Sequence, residues 1–325
     1  MEAKTESSYS GKLLSKLQDP ATIDFYEPYA LKELSDGRII YFTLKGYQII
    51  VMSISLKGHE DDIFIKIKSP VSSIIQLKND VVVYSTNNGG IIELIKLKKN
   101  SYDSIQKLEN SEDYIIKLVE LNDLNFVSIM ENNSIKLFQK DKDSYTNTKM
   151  IKYESEEYFL SGIESSLNNN LLIISFSKFL FVDIYNEKVL KEIKAKEDVN
   201  DEDKYKKEIS PFSENCLRYN NTIIVGGINK FYLIDCVKQE IIKKINNEYE
   251  NFPCCTLTSF ADGSFITGSG FGEMQQFITN EKGDDLIFIC KGALYLDRVT
   301  TCVYSKCGRL IIGEYNGLVV LSYYD

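Results

Sequence analysis

Residues Arg298–Asp325 read RVTTCVYSKCGRLIIGEYNGLVVLSYYD. Three short apolar runs sit in this stretch, Val299–Tyr304, Leu310–Gly313 and Leu318–Tyr324. Turn residues separate them at Cys307-Gly308 and Asn316-Gly317. Each run is too short for a helix and rich in β-branched and aromatic side chains, so each reads as a strand. Asn-Gly marks a hairpin, because both central turn positions favour positive φ. The result is an antiparallel three-stranded unit whose last strand would be an open edge, a template for unwanted pairing. A fourth strand is therefore expected from elsewhere in the chain.

The same pattern recurs upstream. Cys255–Ile278 reads CTLTSFADGSFITGSGFGEMQQFI, with Leu286–Cys290 as a further run. Equivalent sets begin at Asn215, Tyr158, Tyr114, Ser73 and Tyr29. The first turn of each set falls near residues 37, 79, 123, 169, 220, 263 and 308, about 42 to 51 residues apart, the period of four-stranded propeller blades. The pattern predicts an all-β protein: a seven-bladed β-propeller of four-stranded antiparallel blades, one domain over residues 1–325. No helical periodicity runs far enough to support crossover helices. The missing strand is expected at residues 11–18, where Lys12–Leu17 is apolar enough to lie beside Leu318–Tyr324 and close the ring. Met1–Ser10 is expected to be a flexible tail.

The chain has 325 residues, is 43% hydrophobic and lacks tryptophan, which suits a globular protein. It has no apolar run of the roughly 18 residues a membrane span needs, and the polar start predicts no secretory leader. A soluble, cytoplasmic protein without an integral membrane segment is expected. The net charge of −9 argues against nucleic acid, whose phosphates need a basic surface. The seven cysteines form no C-x-x-C pair and read as reduced, buried thiols.

At this point the sequence resembles the WD40-repeat β-propellers over nearly its whole length. The residues that carry the likeness are VTTCVYSKCGRLIIGEYNG at Val299–Gly317, SFADGSFITGSGFG at Ser259–Gly272 and ENNSIKLF at Glu131–Phe138. Phe138 and Phe277 stand where that repeat usually has tryptophan. There is no Trp-Asp dipeptide, and the single histidine, His59 in Lys57-Gly58-His59, falls between a third and a fourth strand rather than before a first. The family's buried His–Ser/Thr–Asp–Trp network is therefore missing, and stability is expected to rest on apolar burial between sheets.

Catalytic chemistry finds little purchase. His59 lies beside Glu60, Asp61 and Asp62 and reads as a solvated loop residue. There is no G-x-S-x-G, and no set of Cys or His ligands at zinc spacing. Gly268-Ser269-Gly270-Phe271-Gly272 reads as a strand-to-strand turn with no helix behind it to hold phosphate. No catalytic residue, metal or cofactor is expected. The Arg-Arg-Gly of phosphoinositide-binding propellers is absent, Leu217-Arg218-Tyr219 being the nearest text.

The charged stretch at 194–211 reads as a long inter-blade loop, with a docking role as the functional alternative. Turns between second and third strands share one face with the inter-blade connections. They hold Tyr47, Asn88, Lys178, Lys230, Phe271 and Tyr315, the expected partner-binding residues. Exposed aromatics there would act as binding anchors. The expected function is a non-catalytic protein–protein interaction scaffold or adaptor in a larger assembly. The alternatives are a substrate-recognition subunit of a ubiquitin ligase or of a trafficking or ciliary complex and, from another class, a phosphoinositide-binding peripheral propeller.

Overall fold

The structure, a computed structural model, describes the chain except residues 1–20, 24–27, 45–46, 56–57, 88–89, 110–112, 166–168, 196–214, 247–253, 261–262, 281, 283, 294–298, 307, 315–316 and 323–325. All regular structure among the described residues is β. A short strand β1 (Ala21–Ile23) precedes sheet one, β2 (Pro28–Glu33), β3 (Ile39–Thr43), β4 (Gln48–Ser55) and β5 (Gly58–Lys66). Sheet two is β6 (Val71–Gln76), β7 (Val81–Thr86), β8 (Ile91–Leu97) and β9 (Tyr102–Glu109). Sheet three is β10 (Ile115–Glu120), β11 (Phe126–Met130), β12 (Ser134–Asp141) and β13 (Ser144–Lys152). Sheet four is β14 (Phe159–Glu164), β15 (Leu171–Ser175), β16 (Lys178–Asp183) and β17 (Lys188–Lys194). Sheet five is β18 (Cys216–Tyr219), β19 (Thr222–Gly226), β20 (Lys230–Asp235) and β21 (Glu240–Asn246). Sheet six is β22 (Cys254–Ser259), β23 (Ser264–Ser269), β24 (Glu273–Thr279) and β25 (Leu286–Ala293). β26 (Val299–Tyr304), β27 (Arg309–Glu314) and β28 (Gly317–Ser322) follow.

Each set pairs antiparallel in chain order, and β1 joins β28, so seven four-stranded sheets result. The architecture is an all-β propeller. First strands lie side by side, β2 with β6, β6 with β10 and onward to β22 with β26, and β26 also touches β2. The turns work because the residue that must take positive φ is usually one that tolerates it: Gly37 (85°), Asp80 (63°), Asn169 (60°), Asn220 (53°), Gly263 (84°) and Gly308 (79°). Among the turns between first and second strands Leu124 (68°) is the exception; there the turn chemistry sits one and two residues earlier, in Asn122-Asp123.

Second strands such as β3, β7, β11, β15 and β19 are buried along their whole length. Fourth strands such as β17 and β21 are solvated on one face and carry lysines, which blunts an outer edge. The core divides into clusters between neighbouring sheets. Leu34, Phe42 and Val51 of sheet one meet Ile74, Val82 and Ile95 of sheet two. Leu31, Tyr41 and Met52 of sheet one meet Ile311 of β27 and Leu318 of β28.

A polar clasp, not expected from the sequence, runs along the rim of the first turns. The last residue of a first strand accepts a hydrogen bond from the turn of the preceding sheet. Gln76 Oε1 accepts from Ser35 N at 2.7 Å, Glu120 Oε1 from Lys78 N at 2.8 Å, and Glu33 Oε1 from Lys306 N at 2.8 Å. Glu164 Oε1 accepts from the Asn122 amide at 2.5 Å. Burial pushes the Glu120 and Glu164 carboxyls above the usual range. The clasp ties neighbouring sheets together, so inter-sheet stability does not rest on apolar burial alone.

Two expectations change. The strand beside β28 is Ala21–Ile23, with Ala21 opposite Val320, Thr22 opposite Val319 and Ile23 opposite Leu318; residues 11–18, expected there, lie outside the described residues, as do residues 1–10. β1 lies only four residues before β2, a normal connection length, whereas Leu17 is ten residues before it. His59 is within β5, opposite Ile54, rather than in a loop: strand pairing continues to Ser55 opposite Gly58, so the charged residues Glu60–Asp62 belong to the outer strand.

Candidate partner-binding rim

Antiparallel order puts the turns between second and third strands on one rim with the sheet-to-sheet connections. Backbone hydrogen bonds join them. Ile67 N donates to Tyr47 O, Asn87 N to Pro70 O, Glu131 N to Tyr114 O, Tyr153 N to Asn133 O, Ala195 N to Ser177 O and Cys254 N to Gly227 O, at 2.7–3.2 Å. Each of these five turns therefore braces a neighbouring connection.

Of the six residues expected on this rim, four are described. Tyr47 has φ of 50° and is 44% exposed. Phe271 is 69% exposed in a turn held by Ser269, whose Oγ accepts from Phe271 N at 3.2 Å and Glu273 N at 3.3 Å. Gly272 supplies the positive φ of that turn, 78°. Lys178 opens β16 and pairs with Glu192 at 3.4 Å, so its charge is already answered. Lys230 opens β20, opposite Asn246, and is half-buried. Asn88 and Tyr315 lie outside the described residues, and so do residues 196–214, most of the charged 194–211 stretch; Lys194 ends β17 and Ala195 is buried.

Two further aromatics occupy the rim that sequence reading placed inside strands. Tyr114 (52% exposed) and Tyr158 (56% exposed) each stand immediately before a first strand, β10 and β14. The turn Glu131–Asn133 secures both. On one side Glu131 N donates to Tyr114 O at 3.0 Å and the Asn132 amide donates to Asp113. On the other side buried Asn133 donates to Ser155 O at 3.2 Å and Glu157 O at 2.8 Å, and accepts from Phe159 N at 2.9 Å. The Glu157 carboxylate accepts from Ser175 Oγ, Ser177 N and Ser177 Oγ.

Glu154–Glu157 and Lys178 line a depression of about 480 Å³. Beside it, Tyr153 donates to Glu192. That bond, with Lys178, holds the Glu192 carboxyl below its usual range, while burial and the carboxylate push the Tyr153 phenol up to about 12. These partners form a structural network, not an acid–base pair, since each is held in one protonation state near neutral pH. Among the described residues no group of three or more His, Cys, Asp or Glu side chains could hold a metal ion. Burial raises the Cys236 thiol to about 11 and pushes Cys254 further up, away from the thiolate form a nucleophile needs.

Elsewhere, exposed Phe64, Tyr102, Ile105, Met150, Leu190, Ile242 and Ile287 are spread over the outer strands, at most two to a strand. Scattered exposures of that kind are ordinary.

No protein-family model matches the chain, and no curated protein matches it. Solved structures do. A chain of the "Crystal Structure of Mitotic Checkpoint Complex" is similar with TM-score 0.73 and 10% identity, covering 100% of this chain and 96% of that one. A streptogramin B lyase is similar with TM-score 0.71 and 13% identity over 94% and 96% of the two chains. The WD40 β-propeller domain of Doa1 is similar with TM-score 0.71 and 11% identity over 95% and 97%. Identities this low establish the β-propeller fold alone. A lyase stands beside a WD40 domain in that group, so the fold does not by itself decide between catalysis and binding. No helix among the described residues is long and apolar enough to cross a membrane.

Proposed function

We propose that the chain is a non-catalytic protein–protein interaction scaffold, an adaptor or subunit of a larger assembly, and that partners dock on the rim bearing Tyr47, Tyr114, Tyr158 and Phe271. We read the seven sheets as blades of one ring, with β1 completing the last. The carrying observation is where the exposed aromatics gather: of six among the described residues, those four share this rim, and only Phe64 and Tyr102 lie on outer strands. Rigid aromatics on braced turns supply contact area at little entropy cost. A WD40 propeller domain and a chain of a multiprotein complex among the similar structures support the reading.

The test is quantitative affinity capture with Tyr47→Ala and Phe271→Ala chains. Recovery of specific co-purifying proteins is expected to fall several-fold, with the melting temperature unchanged. Full recovery from variants that melt early would overturn the reading. Binding to phosphoinositide vesicles in a flotation assay, lost in the same variants, would replace it with a lipid-binding one.

A further inference from the structure

We infer that the sector of this rim around Tyr114 and Tyr158 receives a lysine- or arginine-rich extended segment of a partner protein. The inference rests on the interaction-rim reading and names the chemistry of one partner site within it. Both tyrosines are more than half exposed, and both connections are secured by the same three-residue turn, Glu131–Asn133. The pair is thus a preorganised aromatic platform spanning sheets three and four.

The charge around the platform selects the occupant. Asp113 directly precedes Tyr114, and Glu154, Glu156 and Glu157 precede Tyr158. Glu131 lies in the turn between them and is exposed. The lysines of the sector are fewer than its carboxylates. Lys178 pairs with Glu192, and Lys136 stands in the field of Asp113; Lys152 ends β13. Tyrosine faces attract ammonium and guanidinium groups, and a surplus of carboxylates steers cations and repels anions. The depression lined by Glu154–Glu157, and on its other side by Lys178 held to Glu192, gives a basic side chain room beside the platform. An acidic peptide, a phosphate-bearing ligand or an anionic membrane would meet like charge here.

The test uses the full chain and two fluorescent eight-residue probes, one alternating arginine with glycine and one alternating glutamate with glycine. The arginine probe is expected to bind with salt-sensitive affinity, and the glutamate probe not to bind. Tyr114→Ala with Tyr158→Ala is expected to weaken the arginine probe about tenfold, the combined size of two exposed cation–π contacts. Glu154→Gln with Glu156→Gln should weaken it and flatten the salt dependence. Phe64→Ala, on the outer strand β5 and away from the rim, should leave it unchanged. Equal binding by wild type and the double tyrosine variant would reduce the effect to the chain's overall negative charge and overturn the inference. So would binding of the glutamate probe, or no binding of either. If Phe271→Ala still loses captured partners while the tyrosine variant binds the probe normally, the general rim reading stands and this inference falls alone.

Discussion

Asn133 is the side chain on which the rim's geometry turns, and replacing it should separate backbone strain from hydrogen bonding. It is 5% exposed with φ of 61°, and its amide makes three bonds to the connection that carries Tyr158. Asn133→Gly keeps the backbone at ease but removes all three. The buried Phe159 N–H then loses its partner, at about 1–3 kcal/mol, and the two half-buried carbonyls lose about 0.5 kcal/mol each, giving about 2–4 kcal/mol. Asn133→Ala adds about 1 kcal/mol, because a Cβ is strained at positive φ without an amide to compensate. An unfolding entropy of about 2.1 cal/mol/K per residue over the 325 residues makes 1 kcal/mol equal to about 1.5 °C. Thermal unfolding should therefore fall by about 3–6 °C for glycine and about 1.5 °C more for alanine. Scanning calorimetry reads both. An alanine variant within about 1 °C of wild type, or a glycine variant that melts below alanine, would refute the reasoning.

Two further outcomes follow from the inter-sheet contacts. Burial raises the Glu164 carboxyl, so the folded state holds its proton more tightly than the unfolded one, and the group's contribution to stability diminishes as pH rises from about 4.5 through the raised value. Glu164→Gln removes that titration; its melting temperature relative to wild type should be more favourable at pH 7 than at pH 4, and the reverse order would contradict the burial argument. A Cβ on Gly268 would lie 2.5 Å from Val299 Cγ1 in the next sheet. Gly268→Ala should cost about 1–3 kcal/mol and recover part of it when combined with Val299→Ala, whereas additive losses would show that the two sheets do not meet there.

The repeat was legible because its turns demand special backbone angles. Gly37, Asn169, Asn220, Gly263 and Gly308 take positive φ, and glycine and asparagine mark such positions in plain text. Tyr47 and Phe271 were legible as rim residues for a related reason: bulky aromatics in turns stand out. Tyr114 and Tyr158 were not, because Tyr114-Ile115-Ile116 and Tyr158-Phe159-Leu160 read as continuous apolar runs, and periodicity cannot tell a strand's first residue from the one before it. The clasp formed by Glu33, Gln76, Glu120 and Glu164 was equally hidden. A polar residue at the end of a strand reads as solvated, and only the neighbouring sheet shows that it accepts an N–H from that sheet's turn, a backbone one for Glu33, Gln76 and Glu120 and the Asn122 side-chain amide for Glu164. Composition likewise gave no sign that three residues after Pro20 suffice to pair with β28.

The ring stands or falls on what lies beside β28. Thr22 is opposite Val319, and directly opposed antiparallel residues have Cα atoms about 4.5–5.5 Å apart, within disulfide reach. Thr22→Cys with Val319→Cys, mildly oxidised and mapped by mass spectrometry of the digested chain, should yield a peptide joining positions 22 and 319. No link between positions 22 and 319 would contradict the pairing and with it the closed ring.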